Sequence, residues 1–252
     1  MNTVLLLALI SPAVASVCRF PPSLWCSSEE IAEQCKVYEQ CKASEWTQSA
    51  VAAPVQFELY YESLCPDCQD FIEGQLYPTF QKVGNIMNLT LIPYGNAKEQ
   101  KGPQGEYIFT CQHGELECIG NTIETCAIYE LKNISIYFPF IHCMELSLRS
   151  YNPYEAASVC SNKTGVPVQN ILNCANSSLG NTLEHQMALK TDALQPSHEY
   201  VPWVTLNGVH TEKINNKAVK NLLKLICETY KGPKPEPCKE ELLPSSKRCF
   251  AP

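Results

Sequence analysis

The sequence predicts an α/β fold into which a cysteine-rich helical region is inserted. Strand and helix patterns follow the order β-α-β, then a mostly helical stretch over about residues 105–190, and then β-β-α. Two cysteines separated by two residues, Cys65 and Cys68, stand where the first strand gives way to the first helix. This order of elements, with a Cys-x-x-Cys pair at that junction, is typical of the thioredoxin-like fold.

The first β-α-β unit is predicted from three consecutive patterns. The stretch PVQFELYYES alternates and is rich in aromatic and branched residues, so it predicts a strand. A helix with one apolar face follows, and Pro78 inside it is expected to kink it. NLTLIPYG predicts the second strand, and the polar GNAKEQKGPQGE after it predicts a loop. The apolar helix face consists of Cys68, Phe71, Ile72, Leu76, Phe80 and Val83.

The last unit is predicted from YVPWVTLNGVHTEK, residues 200–213, which indicates a strand, an Asn-Gly hairpin turn and a second strand. The final helix is expected over about residues 217–230, with Val219, Leu222, Leu223 and Ile226 on its apolar face. Pro202 stands just before the third strand, where the thioredoxin-like fold keeps a cis-proline. Val201 and Pro202 are therefore predicted to present their backbone to an extended substrate.

Four segments are distinguished along the chain. Residues 1–16 have a short apolar run and small residues at its end, which predicts a signal peptide. Residues 17–50 form a loop-rich, cysteine-containing segment, 54–232 form the packed domain, and 233–252 are rich in Pro, Lys and Glu and predict a tail. No later apolar stretch is long enough to span a membrane, and the net charge of −7 argues against nucleic acid as a partner.

Fifteen cysteines, all after residues 1–16, indicate an oxidising secretory route. Because their number is odd, at least one thiol is free or bonded to another chain, so a disulfide-linked homodimer of the precursor is one alternative. The same route predicts N-glycosylation at four sequons, whose asparagines are Asn88, Asn133, Asn162 and Asn176.

The Cys65/Cys68 pair has three readings: metal ligands, a structural bridge or a redox site. A zinc site usually needs a second ligand pair, but no other Cys-x-x-Cys occurs and the five histidines are scattered, so no metal site is predicted. A bridge across two residues closes a tiny loop and gains little by chain entropy. Hydrolase, zinc-protease and P-loop motifs are absent, and no cofactor is predicted.

A redox role requires a thiolate at Cys65. Unpaired N–H groups and the partial positive charge at a helix N-terminus stabilise an anion there. Cys65 is therefore predicted to be the nucleophile, and Cys68, one turn further into the helix, the buried residue that resolves the mixed disulfide. The carboxylate of Asp67 is expected to oppose thiolate formation.

The stretch CQHGELECIGNTIETC, residues 111–126, resembles the signature of the gamma-interferon-inducible lysosomal thiol reductase family. Its fixed positions match at Cys111, Gln112, His113, Gly114, Glu117, Cys118, Asn121 and Cys126. The early stretch CRFPPSLWCSSEEIAEQCKVYEQC, within residues 17–50, resembles a saposin A-type segment of the kind that accompanies some members and is removed.

The resemblance implies a thiol reductase that reduces disulfide bonds of denatured or endocytosed proteins in lysosomes at acid pH and aids antigen processing. It implies Cys65 and Cys68 as the catalytic pair, unfolded disulfide-containing polypeptides as substrates and a small thiol as electron donor. It also implies trimming of both terminal segments, delivery by the mannose 6-phosphate receptor and some secretion of the precursor. The signature's cysteines are expected to brace the insert, and no chemistry is assigned to His113. The alternative is a non-catalytic, secreted, disulfide-rich binding protein.

Overall fold

The computed structural model of this protein describes residues 25, 32–33, 35–42 and 52–243. The predicted signal peptide, most of the 17–50 segment and the end of the chain lie outside the described residues. Cys35 and Cys41 are described, and both are disulfide-bonded. Contacts divide the chain into two units, and the larger one contains Ala53–Tyr230.

A three-stranded sheet of order β2-β1-β5 forms the centre of the larger unit. It consists of β1 (Val55–Tyr61), β2 (Met87–Pro93) and β5 (Trp203–Leu206). Strand β1 pairs with β2 in parallel and with β5 in antiparallel orientation. Because β1 is central, its inward side chains, Phe57 and Leu59 among them, are fully buried. The predicted thioredoxin-like fold with a helical insert is confirmed.

The helical connection between β1 and β2 changes geometry in its middle. It comprises α1 (Pro66–Phe71), a π-helical turn (Ile72–Leu76), α2 (Tyr77–Val83) and a short 3₁₀ turn (Gly84–Ile86). Pro78 has no N–H to donate, and the wider π turn ends just before it, so the predicted kink takes the form of a π-helical insertion. The predicted apolar face is buried, apart from Phe80, which is partly exposed.

The polar segment after β2 was predicted as a loop, and this is wrong. It contains β3 (Lys98–Lys101), which pairs in antiparallel orientation with β4 (Tyr107–Thr110). The hairpin is held by backbone hydrogen bonds while most of its side chains are exposed. Strand β3 has no apolar face, and the partly buried face of β4 consists of Tyr107 and Phe109 alone, so the alternation is too short to reveal the hairpin.

The predicted helical insert is confirmed from α3 onward, although it begins with strand β4. Its helices are α3 (Glu115–Leu131), α4 (Ile134–Ser147), α5 (Pro153–Thr164), α6 (Val168–Ala175) and α7 (Ser178–Asp192). All six cysteines of the insert are bonded, as Cys111–Cys118, Cys126–Cys174 and Cys143–Cys160. None of the described helices is both long and apolar enough to cross a membrane.

The second strand predicted after the Asn-Gly turn does not form. Only a single bridge joins Leu206 and Val209, and α8 (Glu212–Thr229) begins about five residues earlier than predicted. The reason is Thr211, whose hydroxyl caps α8 by accepting a hydrogen bond from the N–H of Ile214. Val219 is exposed instead of buried, since α8 is interrupted at Asn221 and its two halves do not share one continuous face.

The predicted tail is also partly structured. Residues Glu236–Leu242 form α9, and its Cys238 is fully buried and bonded to Cys227 of α8. Composition alone indicated a solvated end because the segment is rich in charge and proline. The disulfide supplies the attachment that so short a helix could not obtain from propensity.

Removing this bridge by Cys227→Ala with Cys238→Ala is expected to lower the free energy of unfolding by about 3 kcal/mol. The value follows from loop-closure entropy for cysteines 11 residues apart. Denaturant titration of the variant beside the parent protein measures it. An unchanged free energy of unfolding would show that α9 does not help to hold the fold together.

Candidate redox site

Cys65 and Cys68 are the free cysteines among the described residues. Cys65 is the N-cap of α1, with extended backbone angles (φ −73°, ψ 118°), and Pro66 follows in the first turn. Proline fits this position because its missing N–H would have no partner inside the helix. Cys65 is 7% exposed and Cys68 is fully buried, so only the first sulfur borders the surface.

The two thiols differ in acidity. The hydrogen bond from the Cys68 thiol, helped by the backbone N–H groups of Cys68 and Asp67, lowers the pKa of Cys65 to about 7. Burial and the nearby Glu62 carboxylate act against this shift. Burial, followed by the hydrogen bond to Cys65, raises the pKa of Cys68 well above its ordinary value. The site thus pairs one easily ionised thiol with one that holds its proton.

The carboxylate that opposes the Cys65 thiolate is that of Glu62, not the expected Asp67. Asp67 is exposed, whereas Glu62 is fully buried at the end of β1. Its Oε1 accepts a hydrogen bond from the N–H of Asn96 at 2.6 Å. Gly95 has a positive φ of 61°, and a Cβ there would lie 2.3 Å from Cγ of Glu62. This close packing fixes Glu62 beside the cysteine loop.

His113 lies between two carboxylates. Its Nδ1 is 2.5 Å from Oε2 of Glu117 and 3.3 Å from Oε2 of Glu62. Its backbone N–H also donates to Oε1 of Glu117 at 3.0 Å. The imidazole is about one third exposed, while both carboxylates are fully buried. These three groups are called the acid–imidazole cluster below.

A metal ion would require the same atoms. One candidate ligand atom from each of the three residues lies within 4.8 Å of the others. However, Nδ1 of His113 is already at hydrogen-bonding distance from Oε2 of Glu117. A proton shared between these two atoms occupies the position that a metal ion would need. The contacts are therefore those of a hydrogen-bonded charge network.

A second group of carboxyls lies behind Cys68. The hydroxyl of Tyr61 donates to Oε2 of Glu124 at 2.6 Å. Burial raises the pKa of Glu124 to about 7 and that of Glu145 well above its ordinary value. These carboxyls are therefore neutral in acid, and they add no charge against Cys65 there.

Val201 and Pro202 border the same region as α1. Their peptide bond is cis, as the sequence predicts. Asn215 of α8 holds this segment, since its Nδ2 donates to the carbonyl of Pro202 at 3.3 Å and its Oδ1 accepts from the N–H of Val204 at 3.1 Å. Within the described residues, the backbone of Val201 makes no hydrogen bond. A cleft of about 520 Å³ is lined by Val201, Pro202 and Asn215 together with Asp67 and Phe71 of the first helix.

Comparison with known proteins decides the family. The model of the gamma interferon inducible lysosomal thiol reductase family matches residues 56–164, and the saposin A-type domain model matches residues 15–47. The gamma-interferon-inducible lysosomal thiol reductase of Carassius auratus is 46% identical over 247 residues, covering 95% of this chain and 94% of that protein. The chain belongs to the gamma-interferon-inducible lysosomal thiol reductase family. The protein of that name from Mus musculus is 36% identical over 232 residues, covering 90% of this chain and 89% of that protein.

The thiol reductase signature braces the loop before the cysteines. On α3, Oδ1 of Asn121 accepts from the N–H of Ser63 at 2.9 Å, and the carbonyl of Glu117 accepts from the Ser63 hydroxyl at 3.2 Å. A Cβ at Gly120 would lie 2.4 Å from that hydroxyl, so only glycine allows this approach. The predicted bracing by cysteines is present as well, in the Cys111–Cys118 and Cys126–Cys174 bridges.

Sequence reasoning missed Glu62, Glu117 and Asn121 as site residues. The signal that could have found two of them is the i, i+4 spacing of Glu117 and Asn121, which places them on one helical face.

The four sequon asparagines of this thiol reductase family member, Asn88, Asn133, Asn162 and Asn176, are all exposed.

Proposed function

We propose that this chain reduces disulfide bonds of unfolded polypeptides in an acidic endocytic compartment, with Cys65 as nucleophile and Cys68 as resolving thiol. As a member of a thiol reductase family, the chain is a protein-disulfide oxidoreductase. The observation that carries the catalytic assignment is the pair of free thiols of opposite acidity at the start of α1. The other described cysteines are all disulfide-bonded.

The reaction proceeds in two exchanges. The Cys65 thiolate attacks one sulfur of the substrate disulfide, forms a mixed disulfide and releases the other substrate sulfur, which takes up a proton. Cys68 then loses its proton and attacks Sγ of Cys65, which frees the second substrate thiol. The substrate gains two electrons and two protons, and the enzyme is left with a Cys65–Cys68 disulfide. Two molecules of a small thiol donor restore the dithiol and become a disulfide themselves.

The cleft beside α1 supports substrate binding by Val201 and Pro202. The N–H and carbonyl of Val201 have no hydrogen-bond partner in the part of the chain that the structure describes, and they suit an extended polypeptide, because such a chain binds through main-chain hydrogen bonds. Asn215 holds the segment from behind, so its geometry does not depend on the substrate. A denatured polypeptide can supply such an extended segment anywhere along its length, which favours denatured polypeptides as substrates.

The route to that compartment is part of the proposal. Residues 1–16 act as a signal peptide, 17–50 form a saposin A-type pro-segment, 54–232 form the reductase domain, and the terminal segments are trimmed. Exposure of the four sequon asparagines supports glycosylation, which would permit delivery by the mannose 6-phosphate receptor and some secretion of the precursor. The odd cysteine supports a disulfide-linked precursor dimer. Reduction of endocytosed proteins would serve antigen processing.

Alkylation after mild reduction tests the catalytic assignment. At pH 5, a thiol with a pKa of about 7 is about 1% ionised, roughly thirtyfold more than an ordinary cysteine. Iodoacetamide labelling followed by peptide mapping is therefore expected to find Cys65 modified far ahead of every other cysteine. Uniform labelling, or a Cys65 that ionises only near pH 8.5, would instead favour a binding protein with structural cysteines.

A further inference from the structure

We propose that His113 is a positioning residue for the redox site, which takes up a proton in acid and offsets the carboxylate of Glu62, which faces Cys65, and that of Glu117 beside it. The inference rests on the proposed role of Cys65 as nucleophile. It gives the histidine of the family signature a physical task in addition to the bracing by Glu117 and Asn121.

The first step is that the negative charge near Cys65 cannot move away. Glu62 lies three residues before Cys65, and its carbonyl accepts a hydrogen bond from the Cys65 N–H at 3.3 Å. Its side chain is confined by Gly95 and by the N–H of Asn96. Removal from water strengthens the effect of such a fixed charge on a neighbouring thiol, and this charge disfavours the thiolate.

The second step is that His113 is the one member of the acid–imidazole cluster that meets solvent. Its ring is about one third exposed, whereas both carboxylates are fully buried. It can therefore exchange a proton with bulk water while Nδ1 stays within 3.3 Å of each carboxylate. A change of pH in the surroundings is transmitted to the buried charges through this ring.

The third step is the sign of the effect. Burial alone would lower the pKa of His113, but the hydrogen bond to Glu117 and the charges of Glu117, Glu62 and Cys65 outweigh it and raise that pKa. Burial also raises the pKa of Glu62, although the hydrogen bond from Asn96 and the charge of His113 act against this shift. The other titratable groups that face the cysteines include Tyr61, Cys68 and Glu145, and all three hold their protons in acid. As the pH falls, the acid–imidazole cluster becomes less negative, so its electrostatic opposition to the Cys65 thiolate weakens. This happens in the acidic pH range, in which ordinary thiols are protonated and unreactive.

The test is the rate of Cys65 alkylation by iodoacetamide between pH 4.5 and 9, measured on the reduced full chain and located by peptide mapping. The variants are His113→Gln, which loses the positive charge, and the double variant Glu62→Gln with His113→Gln, which also loses the opposing charge. His185→Gln is the matched control, because His185, on α7, likewise contacts a glutamate, namely Glu99 of strand β3 at 2.7 Å.

His113→Gln is expected to slow alkylation at pH 5 by about three- to tenfold, allowing for the higher intrinsic nucleophilicity of a more basic thiolate. The double variant is expected to recover most of that loss, and His185→Gln to match the parent protein. Equal rates for His113→Gln and the parent at pH 5 would overturn the inference. A double variant as slow as His113→Gln would also overturn it, since a merely structural histidine gives that result. Absence of fast Cys65 labelling in the parent protein itself would instead refute the proposed function.

Discussion

Cys65→Ser is expected to lose disulfide reductase activity by at least roughly 10⁴-fold, because removal of an enzyme nucleophile costs up to about 10⁶-fold. The helix N-terminus and the Cys68 hydrogen bond favour an anion at Cys65, but a serine hydroxyl does not ionise in acid. Activity is measured as release of thiols from a denatured, disulfide-bonded polypeptide at pH 5 with a small-thiol donor. A Cys65→Ser protein that keeps full activity would exclude the proposed mechanism.

Cys68→Ser is expected to block the reductase reaction at a later step than Cys65→Ser does. Cys65 remains able to attack, but the buried resolving thiol is missing, so a mixed disulfide with the substrate accumulates. The covalent adduct is detected on a non-reducing gel, and mass spectrometry locates it at Cys65. The double variant Cys65→Ser with Cys68→Ser is the control and should form no adduct. An adduct through any other cysteine would contradict the order of the two steps.

The sequence predicted this cysteine pair and its setting because both depend on local pattern. Strand β1, the apolar face of the following helix and β2 each occupy a short stretch with a clear period, and a Cys-x-x-Cys pair between strand and helix is recognisable by itself. The predicted cis bond before Pro202 followed from the order of the elements. These features could be predicted without knowing any distant contact.

The acid–imidazole cluster could not be predicted in this way. Glu62 directly follows β1, while His113 and Glu117 lie about fifty residues further along the chain. Only the packing of α3 against the cysteine loop brings them together. Asp67 is the nearer carboxylate in sequence, which is why the sequence predicts that it opposes the thiolate. Its side chain is exposed, however, and Glu62 provides the opposing charge.

The errors in the fold have similar causes. The hairpin β3–β4 pairs a polar strand, β3, with a strand of only four residues, β4, so any hydrophobic alternation is too short to reveal it. After the Asn-Gly turn, a capping threonine at 211 starts a helix where branched residues suggested a strand. In the hairpin, the backbone hydrogen bonds between the two strands form without a clear pattern of apolar residues. After the Asn-Gly turn, the hydrogen bond to the Thr211 side chain outweighs that pattern.

The helical insert should also make the protein more stable in acid than at neutral pH. Glu184 of α7 is 2% exposed, and its Oε2 accepts a hydrogen bond from the Thr125 hydroxyl at 2.8 Å. Burial raises the pKa of Glu184 to about 8. Glu124 and Glu145 are buried in the same insert and are shifted in the same direction.

The sign follows from proton linkage. Below about pH 4.5 such a carboxyl is protonated in both states, so it does not disfavour folding. Above that pH the unfolded state ionises while the folded state keeps its proton, and the free energy of unfolding falls by about 1.4 kcal/mol per pH unit for each carboxyl. For Glu184 this loss extends to about pH 8, the pKa in the folded protein.

Glu184→Gln is therefore expected to raise the free energy of unfolding by less than about 1 kcal/mol at pH 5 and by about 4 kcal/mol at pH 7.5, because the amide cannot ionise but can still accept the bond from Thr125. Denaturant titrations at both pH values, with disulfides intact, measure the difference. Glu240→Gln, at an exposed position on α9, is the control and should not alter the pH dependence. If the stability of Glu184→Gln followed that of the parent protein in parallel across this range, Glu184 would be ionised in the fold. The buried carboxyl of Glu184 would then not make the protein more stable in acid than at neutral pH.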